Sequence, residues 1–129
     1  MVRKRNKGRK KRQQKRKISE MIWEFAGNFM RMAETPEQRQ NHLNAACSAW
    51  NMACNPTAME KSLDQYVREY QRSNANANPA DLADVRSDMK KLIQRKLEMF
   101  PGDLRQIVDV QLVRVGDKDR IEAVSATFT

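Results

Sequence analysis

The sequence predicts an α+β fold that is mainly α: a four-helix domain followed by a C-terminal β-hairpin, with a disordered basic arm at the N-terminus. Three observations predict it. Apolar residues recur at helical spacing from residue 18 to residue 100, and the period changes to two from residue 107 to residue 128. The first seventeen residues hold eleven Lys or Arg and no Asp or Glu, and mutual repulsion keeps so charged a free chain unfolded.

The first two helices are predicted over about 18–33 and 36–54. The first has an apolar stripe at 4, 3, 4, 3 spacing, formed by Ile18, Ile22, Phe25, Phe29 and Met32. The second begins with Thr35 as its cap and Pro36 at its first helical position, and Gln38 completes a capping box. Its apolar line consists of Leu43, Ala46, Cys47, Trp50, Ala53 and Cys54.

The third and fourth helices are predicted over about 57–72 and 79–100. The Asn55-Pro56 pair ends the second helix, because the residue before a proline disfavours the helical conformation, and it offers a cap for the third. Asn78-Pro79 repeats the same device for the fourth helix after a polar loop. Pro101-Gly102 ends the fourth helix.

The hairpin is predicted over about 107–128, with its turn at residues 116–119. Simple alternation puts Val108, Val110 and Leu112 on one face of the first strand and Ile107, Val113 and Val115 on the other. An isolated hairpin is only marginally stable in water, so this one must pack on the helices or pair with a second copy. We therefore expect residues 18–129 to form one domain and residues 1–17 to form the arm.

The cations of the arm are the predicted nucleic-acid contacts. Residues 18–129 carry 14 basic and 16 acidic side chains, so the folded body is close to neutral. Successive Lys and Arg residues bind phosphates and release condensed counterions. The arm has no aromatic ring that stacks on bases, which predicts binding without sequence specificity. The predicted phosphate contacts are Arg3, Lys4, Arg5, Lys7, Arg9, Lys10, Lys11, Arg12, Lys15, Arg16 and Lys17.

Catalytic and metal chemistry find little support in the sequence. His42 is the only histidine, and Cys47 lies about 140° from it around a helix, so the two side chains do not converge. Cys47 and Cys54 are two helical turns apart, too far for a disulfide, which predicts free thiols. We therefore expect no enzymatic activity, no cofactor and no metal site.

No membrane-crossing or secretory segment is expected. Residues 40–59 hold no Lys, Arg, Asp or Glu, but their amides and hydroxyls are too polar for lipid. The basic N-terminus is followed by no apolar secretory core. These features predict a cytoplasmic protein, or a nuclear one if the organism has a nucleus.

A polar stripe follows the predicted second helix at 3, 4, 3, 4 spacing, formed by Asn41, Asn44, Ser48, Asn51 and Asn55. Two interpretations remain open. A row of amides reads base edges, since asparagine bonds adenine at two points. Alternatively, the helix is central and its polar stripe bonds neighbouring loops and caps. In the second case, replacing Asn44 and Asn51 lowers stability.

These features favour a noncatalytic protein that binds RNA or DNA through its arm. The alternative is a protein-interaction or adaptor module in which the basic tail serves only as an address or a solubilising segment. In that module the strand from Arg120 to Phe128 offers its edge to a protein partner or to a second copy. Trp23 falls outside the main stripe of the first helix and is interpreted as a core or partner contact. Removal of residues 2–17 separates the two functions.

Overall fold

The computed structural model describes residues 16–127. Within them, four α-helices are followed by a two-stranded antiparallel sheet, which confirms the predicted fold class. The arm is predicted to be disordered over residues 1–17, of which residues 1–15 lie outside the described residues, as does the predicted end of the hairpin at Phe128. The elements are α1 (Ile18–Arg31), α2 (Pro36–Ala53), a 3-10 turn (Pro56–Ala58), α3 (Met59–Ser73), α4 (Pro79–Met99), β1 (Gln106–Val115) and β2 (Lys118–Ala126).

Helix α2 is the centre of the molecule. Helices α1 and α4 and strand β1 all pack against it. Its Leu43 and Trp50 are fully buried. The Trp50 ring meets Phe25 edge-on, with 5.6 Å between the ring centroids, and lies 5.7 Å from Phe100. The apolar line predicted for this helix therefore lies in the core.

The starts of α2 and α4 follow the predicted caps with one difference. The Thr35 hydroxyl accepts from the Gln38 N–H at 3.1 Å, but the Gln38 side chain accepts from the Glu34 N–H at 2.9 Å instead of reaching Thr35. At α4 the capping box is complete: Asn78 accepts from the Asp81 N–H at 2.9 Å, and Asp81 accepts from the Asn78 N–H at 3.0 Å. Both caps satisfy N–H groups that the helix itself leaves unpaired.

Helix α3 begins later than predicted and is peripheral. Pro56 opens a 3-10 turn, and Asn55 accepts from the Thr57 hydroxyl at 3.1 Å instead of capping the helix. The α-helix starts only at Met59, and Leu63 is its one buried residue. Because α3 rests on the rest of the molecule through so little apolar surface, it leaves an open groove beside α2.

A bulge in β1 changes which residues face the core. The strand register skips Val108, so that Ile107 and Asp109 pair with consecutive residues of β2. The extra residue rotates the strand, and Ile107 becomes buried while Val108 is 61% exposed. The predicted face of Val108, Val110 and Leu112 is therefore wrong at Val108. Ile107 joins Val110 and Leu112 on the core face instead of lying opposite them.

Two side-chain amides of α2 hydrogen-bond the outer edge of β1. Asn51 accepts from the Ile107 N–H at 2.7 Å and donates to the Ile107 carbonyl at 2.9 Å. Gln40 accepts from the Leu112 N–H at 2.7 Å, and its amide nitrogen lies 3.4 Å from the Val110 carbonyl. Each carboxamide offers one donor and one acceptor to the strand, as a neighbouring strand would.

The spacing of the two amides matches the strand that they hold. Gln40 and Asn51 are eleven residues apart, which is close to three helical turns and about 16 Å along the axis. Ile107 and Leu112 are five residues apart, also about 16 Å in an extended strand. Gln40 bonds the later part of β1 and Asn51 the earlier part, so α2 and β1 run antiparallel.

The connector between α4 and β1 wraps around a buried ammonium group. Lys96 is fully buried, and its Nζ donates to the carbonyls of Phe100, at 2.8 Å, and of Asp103. The same Nζ lies 4.9 Å from the centroid of the Trp50 ring, close enough for a cation–π interaction. The Trp50 indole N–H donates to the Arg105 carbonyl at 2.7 Å. Core side chains therefore fix the path of the connector.

We expect Asn51→Ala to lower the free energy of unfolding by about 2 kcal/mol, because it leaves both backbone groups of Ile107 without their partner. Asn44 makes one exposed contact, as acceptor of a 2.8 Å hydrogen bond from Gln40. We expect Asn44→Ala to change stability by less than about 0.5 kcal/mol. Urea unfolding of both variants measures the difference. Equal losses for the two variants would contradict the edge-holding role of Asn51.

Candidate nucleic-acid interface

Nine of the eleven predicted phosphate contacts lie outside the described residues. They are Arg3, Lys4, Arg5, Lys7, Arg9, Lys10, Lys11, Arg12 and Lys15. The other two, Arg16 and Lys17, lie directly before α1 and contact the folded body. The structure therefore describes the point at which the basic arm joins the body.

Arg16 forms a two-point ion pair with Glu24, one and a half turns into α1. Its Nη1 lies 3.1 Å from Oε2, and its Nη2 contacts Oε1. This hydrogen bonding raises the pKa of Arg16 and lowers the pKa of Glu24. Both side chains remain close to half exposed, so water weakens the attraction between them. A phosphate at Arg16 competes with an exposed carboxylate.

Lys17 is exposed and occupies the N-cap position of α1. Its carbonyl accepts from the N–H groups of Glu20 and Met21 at 3.1 and 3.2 Å. A helix N-terminus carries a partial positive charge, so it does not stabilise the Lys17 ammonium. An added phosphate near Lys17 meets the helix end and the ammonium together, and both attract it.

The root of the arm is tied to the connector by Arg105. Its Nη1 donates to the Arg16 carbonyl at 2.9 Å. Asp103 orients the same guanidinium with hydrogen bonds of 3.0 Å to Nε and 2.6 Å to Nη2. Burial alone raises the pKa of Asp103, but the hydrogen bonds from Arg105 outweigh it and lower that pKa. Nothing in the sequence spacing of Asp103 and Arg105 relates them to Arg16, so the sequence alone does not reveal this contact.

A groove of about 890 Å³ lies between α2 and α3. Tyr66 and Tyr70 of α3 line it on one side, and Asn41, Asn44 and Ser48 of α2 line it on the other. At the end formed by α1, the Phe29 ring lies 4.5 Å from the His42 ring between centroids. The groove thus combines aromatic rings with side-chain amides.

The polar stripe of α2 divides into two parts. Asn51 holds β1 in place, as the central-helix interpretation expects for this residue. Asn41, Asn44 and Ser48 instead line the groove, and Asn55 lies beyond the end of the helix. Across the groove, the two tyrosines of α3 are four residues apart. This spacing places them on one face of the helix, but it does not show which helix that face contacts.

The groove fits an uncharged ring better than a phosphate. No Lys or Arg is among its described lining residues, and Asp88 contributes a carboxylate. Burial raises the pKa of Tyr66, so its hydroxyl stays protonated and can donate a hydrogen bond. Amides and a phenol suit the edge of a base, and the ring faces suit its plane.

Burial lowers the reactivity of both cysteine thiols. Burial raises the pKa of Cys47 to about 12, which disfavours the thiolate that reacts with electrophiles and metals. Burial also raises the pKa of Cys54, although nearby Lys96 opposes that shift. Across residues 16–127, His, Cys, Asp and Glu side chains form no group of three or more that could hold a metal ion.

None of the helices described between residues 16 and 127 combines the length and apolar character that a membrane span requires. Comparisons with protein-family models, with curated protein sequences and with solved structures find no match to this chain.

The Asp103–Arg105 pair predicts a pH dependence of stability. The folded protein lowers the pKa of Asp103 below its ordinary value of 3.8, so the unfolded chain takes up the proton first as pH falls. The stabilisation is fully present above about pH 4 to 5 and is lost as pH falls through the lowered pKa. We expect Asp103→Asn to be less stable than the parent protein at pH 6, with the gap in melting temperature narrowing toward pH 2.5.

The matched control for this titration is Asp117→Asn, which removes a carboxylate from the exposed hairpin turn. Its melting temperature should follow that of the parent protein across the same pH range. A constant gap between Asp103→Asn and the parent protein at every pH would contradict the role given to the ionised pair.

Proposed function

We propose that the protein binds RNA or DNA without catalysis, and that its basic arm contacts phosphates without sequence specificity. One observation carries the proposal. Eleven of the first seventeen residues are Lys or Arg and none is acidic, whereas the remaining chain has 14 basic and 16 acidic residues. A charge so concentrated in one segment attracts a polyanion more strongly than the near-neutral body does.

The release of counterions sets the form of this binding. If roughly six to eight cations of the arm contact phosphates, the logarithm of the binding constant falls against the logarithm of salt with a slope of about −5 to −7 on duplex DNA. The slope is smaller on single strands. Affinity is then high at low salt and falls steeply as salt increases.

The groove between α2 and α3 supplies the chemistry that the arm lacks. The arm has no aromatic residue, and its amides are limited to Asn6, Gln13 and Gln14. The groove offers tyrosine rings and the amides of Asn41 and Asn44 on a folded surface. In this proposal the arm holds phosphates while the groove receives an unstacked base, which requires a single-stranded site.

Removing charge from the arm tests the phosphate contacts. We expect the variant R9Q/K10Q/K11Q/R12Q to bind duplex DNA with a salt slope smaller in magnitude by about 3 to 4, because each lost phosphate contact removes about 0.9. Fluorescence anisotropy at several salt concentrations measures this slope.

The matched control removes the same charge from exposed positions of the body, in the variant K61Q/R72Q/K90Q/K91Q. We expect its salt slope to stay within about one unit of that of the parent protein. Equal changes in both variants would mean that the body contacts phosphates as much as the arm does, which would contradict binding through the arm. A parent chain without affinity for polynucleotides at low salt would refute the proposed function.

Replacing a ring tests the groove. We expect Tyr70→Leu to weaken binding to single-stranded RNA about tenfold, since it removes a stacking surface. Tyr70→Phe keeps the ring and should bind as the parent protein does. Duplex binding should be unchanged in both variants, because paired bases cannot enter the groove. A loss of duplex and single-strand affinity in equal measure would exclude base stacking at Tyr70.

The second candidate function is a protein-interaction or adaptor module in which the basic tail is only an address or solubilising segment. The outward edge of β2 favours it, because exposed strand edges pair with other chains. The discriminating deletion should stop at residue 15, since Arg105 bonds the Arg16 carbonyl. A specific protein partner that remains bound after the deletion, together with no loss of polynucleotide affinity, would support this function.

A further inference from the structure

The outer edge of β2 is an unpaired strand edge. The hairpin closes through the two-residue loop Gly116-Asp117, in which Gly116 has a φ of 66°, and a loop of this kind makes the flanking residues a hydrogen-bonded pair. The alternation of an antiparallel ladder then directs every second backbone N–H and C=O of β2 away from β1. These outward groups belong to Asp119, Ile121, Ala123 and Ser125.

The amide bonds to β1 fix the same alternation independently. Leu112, Val110 and Ile107, whose outward groups Gln40 and Asn51 bond, are the pairing partners of Ile121, Ala123 and Ser125. When two residues face each other in such a ladder, the backbone N–H and C=O groups of both are directed either toward the other strand or away from it. The two edges therefore differ: helix α2 covers that of β1, whereas no hydrogen bond within residues 16–127 reaches the outward groups of β2.

An open groove runs beside this edge. It has a volume of about 430 Å³ and lies between Ser19 and Trp23 of α1 and Ile121 of β2. Trp23 is 39% exposed, which rules out the core position considered for it from the sequence. A large aromatic ring next to an unpaired strand edge is a feature of protein contact surfaces.

We propose that β2 pairs antiparallel with β2 of a second copy around a twofold axis at Ile121, which makes one four-stranded sheet from two hairpins. Charge complementarity favours a second copy as the occupant. Arg120 and Glu122 point to the exposed face of the sheet, on either side of Ile121. Within one strand Arg120 and Glu122 already form an exposed ion pair, with 3.1 Å between Nη2 and Oε2. In the register centred on Ile121, Arg120 of each copy also lies opposite Glu122 of the other, so the four side chains alternate in sign across the axis.

Neighbouring registers lack this match. Centring the pair on Glu122 puts two carboxylates opposite each other, and centring it on Arg120 puts two guanidinium groups opposite each other, although Lys118 then faces Glu122. Like charges placed opposite each other destabilise a sheet. Centring it on Ala123 leaves Glu122 opposite Val124. Of these registers, the one centred on Ile121 alone pairs opposite charges with no like-charge contact, and it continues the apolar row of the core face, since Ile121 already pairs with Leu112 within each hairpin. The twofold axis also brings the two Trp23 grooves together.

Molar mass tests the dimer. The full chain, freed of nucleic acid, is measured by light scattering or sedimentation equilibrium over a range of concentrations. We expect a dimer for the parent protein. The variant E122R opposes positive charges twice and should raise the dimer dissociation constant roughly tenfold or more. The double variant R120E/E122R reverses both charges and should restore the dimer.

A proline variant tests the backbone pairing. Ala123→Pro removes an outward N–H and leaves the β1 ladder intact, so we expect a folded monomer with an unchanged circular dichroism spectrum. Its control, Val124→Pro, removes an N–H that faces β1 and should disrupt the hairpin itself. If charge reversal at Glu122 alters folding, Ala123→Pro still tests the pairing of the two β2 strands.

Three results would overturn the proposal: a monomeric parent protein at concentrations of about 100 μM, a dimer unaffected by both E122R and Ala123→Pro, or a charge reversal that fails to restore the dimer. A dimer unaffected by both changes would mean that another surface pairs. The proposal does not rest on nucleic-acid binding, and the measurement is made in its absence, so either can fail alone.

Discussion

The contact between α2 and β1 is the interaction on which the rest of the fold depends. A two-stranded sheet alone is barely stable in water, because its outer edges and one face need partners. Gln40 and Asn51 give the edge of β1 the hydrogen bonds of a missing third strand. Because their spacing on the helix equals the spacing of their partners on the strand, they also set where the hairpin lies along α2. A helix thus does for this sheet what another strand does in larger sheets.

The connector before β1 maintains that alignment. Lys96 holds two carbonyls of the connector from inside the core, and Trp50 holds a third. A buried ammonium group is costly unless its donors are satisfied, and here two carbonyls and the indole face surround it. The strand therefore enters from a fixed point, which the bulge at Val108 requires, since a slip of one residue would turn the apolar face of β1 toward water.

Local signals in the sequence identified much of the fold. The apolar stripes and the caps at Thr35 and Asn78 located three of the four helix starts, because they act over four or five neighbouring residues. The bulge at Val108 was missed because it depends on contacts with α2 and β2, which the alternation of β1 does not encode. The 3-10 turn at Pro56 was missed because Asn55 bonds Thr57, an equally local alternative to capping the helix.

The candidate sites were predictable to a smaller extent. The arm can be identified from its Lys and Arg content, and the amide stripe of α2 from its helical spacing. The positions of α3 and β1 decide which amides bond β1 and which line the groove. In the sequence alone, Asn41 and Asn51 cannot be told apart. Gln40 lies outside the stripe altogether, and its role follows only from its distance to Leu112. The pairing of Arg105 with the Arg16 carbonyl joins residues 89 positions apart, which no local pattern reveals.

The hydrogen bond from Arg105 to the Arg16 carbonyl also affects how fast a bound strand can rebind. Arg105 holds the backbone at Arg16, and fifteen residues in any conformation reach at most about 50 Å from that point. In the proposed function, a polyanion held anywhere on this tether stays near the groove between α2 and α3, at an effective concentration on the order of millimolar. On this proposal, a base that leaves the groove rebinds before the strand diffuses away. Weak contacts in the groove suffice, and a single arginine in the connector fixes the point from which that local search begins.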